Sequence, residues 1–361
     1  MCNIAGYAGK EQAAPILLDM MRKEEGFDAG YYTGIATIHE GRLHYRKVCG
    51  GVKELIATTD ALDLPGTIGI IQGRSRCGDY GGDENWAHPF INPDGTFAYL
   101  ANGIMSRFFK GVTDMNAQAK RLYEKGYEFT SASDNELLYF YPSYKEGINV
   151  HASEIMCFLI DEQKKLGYSD AEAVERAFCE NPSEIVGLML SEDNPDQITV
   201  GRVNFPMWIG HGDGEMFLAT TAMVFDKERV RQRYSLPTCS VIEVERENIH
   251  IHPFKKPFVR VYDDGRKEKK FAAYVEALRE GPKTFYPLGA AAAKNLPEGE
   301  FKTQEEIYEM GMIPSKGDTY EALTQLHDRG CIRIEKEIWP GCGARPDLKR
   351  ETFVVSLIKE P

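Results

Sequence analysis

The residue whose type and position could do chemistry is Cys2, in the opening segment MCNIAGYAG. One interpretation is ordinary: a small apolar residue that begins a buried strand. The alternative is a nucleophile that becomes competent once Met1 is removed, because Cys2 would then carry both a thiol and a free α-amine. A free α-amine has a reference pKa of about 7.7–8.0, so it can take the thiol proton and return it without a histidine. The rest of the sequence must decide between the two.

Three further polar sites accompany the cysteine: Arg74 in QGRSRCG, Asn102-Gly103 in LANGIM, and Asp134 in SASDNE. Taken singly, each has an ordinary explanation. Arg74 reads as a surface charge, the Asn-Gly pair as a turn, and Asp134 as a helix N-cap. Only the order and spacing of these sites relative to Cys2 indicate that they belong to a catalytic site.

Composition limits the class of protein. The chain has 361 residues, of which 42% are apolar and 27% charged, and a formal net charge of −12. This length predicts one large domain and a smaller one. The negative charge argues against a protein that binds the nucleic-acid backbone, since that affinity depends on Lys and Arg. No signal peptide and no apolar run near ~18 residues appear, so the chain is predicted to be cytoplasmic.

The cysteines and histidines give no metal signature. None of the eight cysteines forms a CxxC pair, which argues against a structural zinc site or a redox motif. His250 and His252 would share one face of a strand, but no nearby Cys or carboxylate in the sequence joins them. We therefore predict no metal site and no cofactor.

The order of elements predicts an α+β fold. The first part is rich in strands, with a helix over 13–24 and two strands joined by a turn at Glu40-Gly41. Residues 151–190 read as helical segments, and strand patterns return from residue 198. Strands from both ends of this region would share sheets, which is typical of a sandwich.

A second unit is predicted after residue 255. The segment DDGRKEKK reads as a linker or a solvated turn. It precedes a helix, a second helix over 302–310, a longer helix with Leu323 and Leu326 on one face, and two strands around a Gly/Pro loop. This outline is that of a winged-helix unit. Its acids and bases are about equal in number, which favours a packing or partner-docking role over DNA binding. The predicted domains are 1–255 and 256–361.

Six motifs in order resemble those of the class II, N-terminal-nucleophile glutamine amidotransferases, and most of all the glutaminase domain of glucosamine-6-phosphate synthase. MCNIAG stands where members have Met-Cys-Gly-Ile-X-Gly, and GFDAGYYTG where they have a GYDSAG-type segment. QGRSRC matches GHTRxAT, WAHPF matches AHPH, ANGIM matches HNGxI, and SDNE matches SDTE. The resemblance spans residues 1 to about 255.

The resemblance implies a four-layer α/β/β/α sandwich, the N-terminal-nucleophile (Ntn) hydrolase fold, that hydrolyses the side-chain amide of L-glutamine. Cys2 would form a thioester with the glutamyl group. Asn102 and Gly103 would form the oxyanion hole, the first through its side-chain amide and the second through its backbone N–H.

The resemblance also implies the residues that bind the amino-acid end of the substrate. Arg74 would bind the α-carboxylate through its two-pronged guanidinium, and Asp134 would bind the α-ammonium. Cys77, where the family has threonine, would lie against the carboxylate. His88 would line the pocket, or be a structural histidine at the end of a strand.

The sequence departs from the family at four positions. Asn3 replaces a glycine beside the nucleophile, and Cys77 replaces the threonine. Ser75 replaces an aromatic residue and Gln72 a histidine, both around Arg74. These departures put glutamine affinity and the coupling of this loop to a partner in question.

The ammonia acceptor is not evident in the sequence. Residues 256–361 are too few for a sugar-isomerising part, and the chain has neither a phosphoribosyl-binding DDxxxxG[ST]T loop nor a GxxxxGK[ST] loop. The synthase is therefore expected on another chain, and homo-oligomer formation is left open. Two other functions remain open: an Ntn amidase acting on a different small amide, and a non-catalytic module that senses glutamine.

Overall fold

Two antiparallel β-sheets face each other across an apolar core in the computed structural model, which describes residues 2–27, 29–74, 83–104, 113–255, 264–296, 316–340 and 349–361. The core between the sheets holds Ile4 and Ile70 from one sheet and Leu100 and Leu188 from the other, each with 0% of its surface exposed.

The first sheet has the strand order β13-β11-β12-β1-β4-β2-β3, with strands numbered along the chain. Its strands are β1 (Asn3–Ala8), β2 (Thr33–His39), β3 (Arg42–Val48), β4 (Ile68–Gly73), β11 (Trp208–His211), β12 (Met216–Ala219) and β13 (Gln232–Ser235). The N-terminal strand β1 thus lies in the middle of the sheet, where all six of its residues are buried.

The second sheet has the order β15-β14-β10-β9-β6-β5. Its strands are β5 (Phe90–Ile91), β6 (Phe97–Ile104), β9 (Glu184–Ser191), β10 (Asn194–Arg202), β14 (Ser240–Val244) and β15 (Ile249–Pro253). A separate two-stranded ribbon joins β7 (Ser143–Lys145) to β8 (Ile148–Asn149).

Helices cover the outer face of each sheet and complete an α/β/β/α arrangement. The first sheet carries α1 (Ala13–Glu24) and α2 (Val52–Thr58), which share a second apolar core with it. The second sheet carries α3 (Met115–Glu124), α4 (Ala152–Lys165) and α5 (Asp170–Glu180) over a third core. The α+β expectation is confirmed.

One local prediction is confirmed and another is wrong. The turn between β2 and β3 lies at Glu40 and Gly41, with φ of 50° and 72°. The helical segments expected within 151–190 are present as α4 and α5, but the end of this range is the strand β9, in which every residue is buried. A strand buried on both faces shows no alternation of apolar and polar residues, so its sequence resembles that of a buried helix.

The C-terminal part forms a three-stranded sheet of order β16-β18-β17 with three described helices. Its elements are α6 (Asp264–Arg279), β16 (Lys283–Thr284), α7 (Phe285–Lys294), α8 (Lys316–Asp328), β17 (Ile332–Pro340) and β18 (Lys349–Leu357). Leu323 and Leu326 lie on one face of α8, as predicted, and both are fully buried. The helix predicted over 302–310 and most of the Gly/Pro loop lie outside the described residues.

The linker predicted at DDGRKEKK is wrong, because α6 already begins at Asp264. Lys270 near the end of this charged run is buried and lies 3.0 Å from a carboxylate oxygen of Asp318 on α8. The sequence suggested that Lys270 is solvated, but it is buried because Asp318, on a helix distant in sequence, pairs with it. Within the described part of the chain, none of the helices is long and apolar enough to span a membrane.

Candidate active site

The start of β1 and the end of β4 place Cys2 beside Arg74. The two strands are antiparallel, and the register pairs Asn3 with Gly73. Cys2 directly precedes the first of these residues and Arg74 directly follows the second, so both lie at one end of the first sheet.

A buried hydrogen bond joins this end of the first sheet to the second sheet. The Nε2 of Gln72 on β4 donates to the carbonyl oxygen of Ala101 on β6 over 2.5 Å. Asn102 and Gly103 follow Ala101 directly, so they lie at the same end of the sandwich. Gln72 thus joins the end of the first sheet to the strand that carries Asn102 and Gly103.

Asn102 and Gly103 belong to strand β6 and not to a turn, which corrects the ordinary interpretation of this Asn-Gly pair. Asn102 is 1% exposed, and its Nδ2 has no hydrogen-bond partner among the described residues. A buried unpaired donor is unfavourable unless something else pairs with it. Gly103 has no room for a side chain, since a Cβ there would lie 2.2 Å from the carbonyl oxygen of Glu184.

The side chain of Arg74 is enclosed rather than exposed, so the interpretation of Arg74 as an ordinary surface charge is wrong. The side chain is 2% exposed, and its guanidinium carbon lies 5.2 Å from the ring centre of Tyr32 and 5.6 Å from those of Trp86 and Tyr141. We call Arg74 and these three rings the Arg74 cage. Nη1 donates to the carbonyl oxygen of Trp86 over 2.9 Å, and Nη2 donates to the Tyr141 hydroxyl.

These two bonds occupy two of the five N–H donors of the Arg74 guanidinium. An α-carboxylate bound through a two-pronged contact must use another pair of donors or displace one of these bonds. The two hydrogen bonds fix the orientation of the guanidinium, and a lysine ammonium would not reproduce its planar fork of donors.

Two buried histidines lie next to the Arg74 cage. The ring centres of His88 and His151 are 4.9 Å apart, and His88 is 1% exposed. Burial, followed by the charges of Arg74 and Lys47, holds the pKa of His88 well below its ordinary value of 6.5. His151 has a pKa lowered in the same way, by burial first and then by Arg74. Both imidazoles are therefore neutral at neutral pH.

Asp134 is not the N-cap that its sequence position suggests. The cap of the short 3-10 turn that follows is Asn135, whose side chain accepts from the backbone N–H of Leu137 over 3.0 Å. Asp134 itself is exposed.

The segment that carries Asp134 connects to the Arg74 cage. Ser133 forms an isolated β-bridge with Asn149. The Nδ2 of Asn149 donates to the carbonyl oxygen of Tyr141 over 2.9 Å, and the Tyr141 hydroxyl accepts from Arg74. Asp134 is therefore held near the end of the sandwich where the other candidate residues lie.

No family model matches the sequence. Similar proteins include glutamine–fructose-6-phosphate aminotransferases: that of Pyrococcus horikoshii is 28% identical over 229 residues, which are 62% of this chain and 33% of the relative. The relative from Caldanaerobacter subterraneus is 31% identical over 225 residues, or 61% of this chain and 31% of the relative. The chain thus spans about a third of the length of these relatives.

The resemblance to the class II glutamine amidotransferases is confirmed. The fold agrees with it: the structure of the glutamine phosphoribosylpyrophosphate amidotransferase of B. subtilis has a TM-score of 0.56 and 14% identity. That match covers 86% of this chain and 70% of the other. Relatives and fold together indicate an enzyme of the Ntn hydrolase type.

Cys77, a candidate substrate-binding residue, lies outside the described residues, as does Ser75. The structure adds residues that sequence reasoning missed, notably Tyr141 and His151 around Arg74 and His88. The sequence signal for Tyr141 and His151 is that aromatic residues recur near the matched motifs. This signal does not indicate that these side chains contact Arg74 and His88.

The structure assembles no metal centre in the ranges that it describes, where no three His, Cys, Asp or Glu side chains are placed to share an ion. Of the histidine pair in β15, His252 has a carboxylate partner that the sequence did not suggest, Glu243, at 2.7 Å. These two side chains form a single hydrogen-bonded contact at the edge of the second sheet.

Proposed function

We propose that this chain hydrolyses the side-chain amide of L-glutamine through a thioester on Cys2. The observation that carries the proposal is the pairing of Asn3 with Gly73, which brings Cys2 and Arg74 to one end of the sandwich. A nucleophile, a cation for the α-carboxylate and a buried amide donor at one site are what an amide-hydrolysing enzyme requires.

The first step acylates Cys2. Its Sγ attacks the side-chain carbonyl carbon while the α-amine, freed by loss of Met1, takes the thiol proton. The C–N bond then breaks, and the same proton goes to the departing nitrogen, which leaves as ammonia. Water next attacks the thioester, with the α-amine again accepting the proton, and releases glutamate and the free thiol.

Asn102 and Gly103 form the proposed oxyanion hole. The unpaired Nδ2 of Asn102 supports this role, because an N–H group that is buried and already oriented needs no rearrangement when negative charge develops. Gly103 adds its backbone N–H from the next position on β6.

The proposed substrate contacts are Arg74 for the α-carboxylate, Asp134 for the α-ammonium, and Cys77 and His88 for the pocket wall. The neutral state of His88 supports a lining role, since an uncharged ring beside Arg74 leaves that cation available to the carboxylate. The exposure of Asp134 supports access by a free amino acid.

We further propose that the ammonia passes to a synthase on another chain, in an enzyme that is cytoplasmic. The similar proteins are named glutamine–fructose-6-phosphate aminotransferases. This name supports transfer of the nitrogen of glutamine to an acceptor.

For the domains we propose 1–255 as the amidotransferase and 256–361 as a winged-helix unit. The helix–strand–helix–helix–hairpin order and the sheet order β16-β18-β17 support the second assignment. Its helix α8 packs inward, with Leu323 and Leu326 fully buried, which supports a packing role over DNA binding.

The test is intact-mass analysis of the purified protein, a glutaminase assay, and labelling with a glutamine analogue that carries an electrophilic carbon. We expect Met1 to be absent, the label to be on Cys2, and Cys2→Ala to lower glutamate production by at least about 10³-fold. The matched control is Cys179→Ala on α5, which should retain activity.

Retention of Met1 with no label on Cys2 would overturn the enzymatic proposal and leave a glutamine-sensing module. Labelling by other amide analogues without glutamine hydrolysis would instead indicate a different Ntn amidase. A hydrolysis rate that no candidate synthase chain changes would contradict the proposed transfer of ammonia.

A further inference from the structure

A buried hydrogen-bonded link connects the C-terminal helix α8 to the residue next to Cys2. Asn3 is 0% exposed, and its Nδ2 donates to the carbonyl oxygen of Glu24, the last residue of α1, over 2.6 Å. Its Oδ1 accepts from the hydroxyl of Tyr320 over 2.8 Å. We call these three residues the Asn3 link. Tyr320 is also fully buried, and it lies 317 positions from Asn3 in the sequence.

A second contact holds the same face of α8 against the neighbouring strand end. Thr324 lies one turn after Tyr320, and its hydroxyl oxygen is 3.2 Å from that of Thr221. The hydroxyl of Thr220 accepts from the backbone N–H of Ile4 over 2.9 Å. Helix α8 therefore touches both Asn3 directly and the segment that pairs with β1.

Aromatic packing fixes the position of α8 relative to this strand. The ring centre of Phe27 lies 5.7 Å from that of Tyr320 and 4.7 Å from that of Phe353 on β18. Gly26 makes this approach possible, because a Cβ there would lie 2.5 Å from the Phe353 ring. The link is thus part of a dry, closely packed interface and not a chance surface contact.

The consequence concerns the nucleophile. With both ends of its amide bonded, the Asn3 side chain has one allowed orientation, and this constrains the Cys2–Asn3 peptide. The resembled family has glycine at this position, so no side chain there could respond to a distant helix. We propose that Asn3 and Tyr320 are positioning residues: docking of α8 holds Cys2 in its reactive geometry and so makes hydrolysis depend on the C-terminal unit. This inference rests on the proposed glutaminase function.

The test removes one hydroxyl. Tyr320→Phe keeps the ring and deletes the bond to Asn3, and we expect kcat to fall about tenfold while KM stays within about twofold, because misplacement of a reacting group affects the chemical step. The matched control is Tyr274→Phe, which removes a buried hydroxyl 2.7 Å from Thr319 in the same unit. The control should leave kcat unchanged.

A double-mutant cycle tests whether Tyr320 acts through Asn3. Asn3→Ala should lower kcat by a similar factor, and adding Tyr320→Phe should cause little further loss, since the shared contact is already absent. Multiplication of the two losses would show that Tyr320 acts on stability or elsewhere, and would overturn the inference. Thermal unfolding of each variant verifies that it is folded.

A readout independent of glutamine separates the two proposals. Alkylation of Cys2 by iodoacetamide at pH 7, followed by peptide mass analysis, should be about tenfold slower in Tyr320→Phe than in Tyr274→Phe. Equal rates and equal kcat in these two variants would overturn the link while leaving the glutaminase intact. A wild-type protein that does not hydrolyse glutamine, but whose alkylation depends on Tyr320, would overturn the proposed function and retain the link.

Discussion

The Arg74 cage and the Asn3 link are both buried and polar, yet they are stabilised in different ways. In the cage a permanent cation is surrounded by aromatic faces and two oxygen acceptors, and the nearby histidines are held neutral. In the link, uncharged groups bond in a short chain that ends at the backbone carbonyl of Glu24, whose own buried carboxyl has a pKa raised well above 4.5 by burial.

This difference fits the two proposed roles, in which the cage binds substrate and the link positions Cys2. A fixed charge such as Arg74 suits recognition of an anionic substrate group. Neutral hydrogen bonds suit a contact through which one packed unit positions a residue in another. Such bonds weaken steeply when their distance or angle changes, so they hold only one arrangement of the two units. The cage lies within the two-sheet sandwich, whereas the link exists only where the C-terminal unit packs against it.

The largest expected effect is at Asn102, which belongs to neither the Arg74 cage nor the Asn3 link. Its expected loss of kcat is the reference against which the effects in those two regions are compared. Asn102→Ala removes the unpaired buried donor, and we expect kcat to fall about 10²–10³-fold with little change in KM. Steady-state glutaminase kinetics measure both constants. Asn116→Ala, on the exposed face of α3, is the control. An unchanged kcat in Asn102→Ala would remove this residue from the oxyanion hole.

The next effect tests the Arg74 cage. Arg74→Lys keeps the charge but loses the fork of donors that bonds to Trp86 and Tyr141, and we expect KM for glutamine to rise about 10- to 100-fold. The control is Arg46→Lys, since Arg46 forms an exposed pair with Asp60. A KM equal to that of wild type would place the carboxylate site elsewhere.

The neutral histidines beside the cage predict loss of stability in acid. Below pH 6.5 the unfolded chain protonates His88 while the folded chain does not, so the free energy of unfolding should fall by about 1.4 kcal/mol per pH unit for this residue. Urea unfolding between pH 7 and 5 measures the slope. His88→Gln should reduce it, and the exposed control His39→Gln should retain it. Equal slopes in all three proteins would mean that His88 protonates in the folded state.

The smallest expected effect concerns Glu24 in the Asn3 link. Its contribution to stability changes with pH in the opposite direction to that of His88. The unfolded chain ionises Glu24 above pH 4.5, whereas the folded chain keeps it protonated, so this residue costs stability as pH rises towards its folded pKa. Glu24→Gln removes that cost and preserves the acceptor for the Thr221 N–H. We expect a gain of about 1 kcal/mol at pH 8 and none at pH 4 by urea unfolding. A loss at pH 8 would show that the carboxylate is ionised in the fold.

Much of the candidate site could be predicted because its members lie in short matched segments. Cys2, Arg74, Asn102 and Asp134 were each identified from motifs, and the strand register brings Cys2 and Arg74 to one end of the sheet. The strand β9 was missed because complete burial removes the alternation that marks a strand. The start of helix α6 was missed because Lys270, in its charged first part, pairs with Asp318, which is far away in sequence.

The sequence by itself determined the α+β class, the position of the candidate nucleophile Cys2 and the motifs that resemble those of class II glutamine amidotransferases, since these depend on residue type and local spacing. Only the tertiary structure decided that Arg74 is caged and that Asn3 is bonded to Tyr320. These contacts join residues separated by 67 and 317 positions. No local pattern encodes such pairs, because they form only when whole layers pack together. The departure at Asn3 was visible in the sequence, but its partner was not.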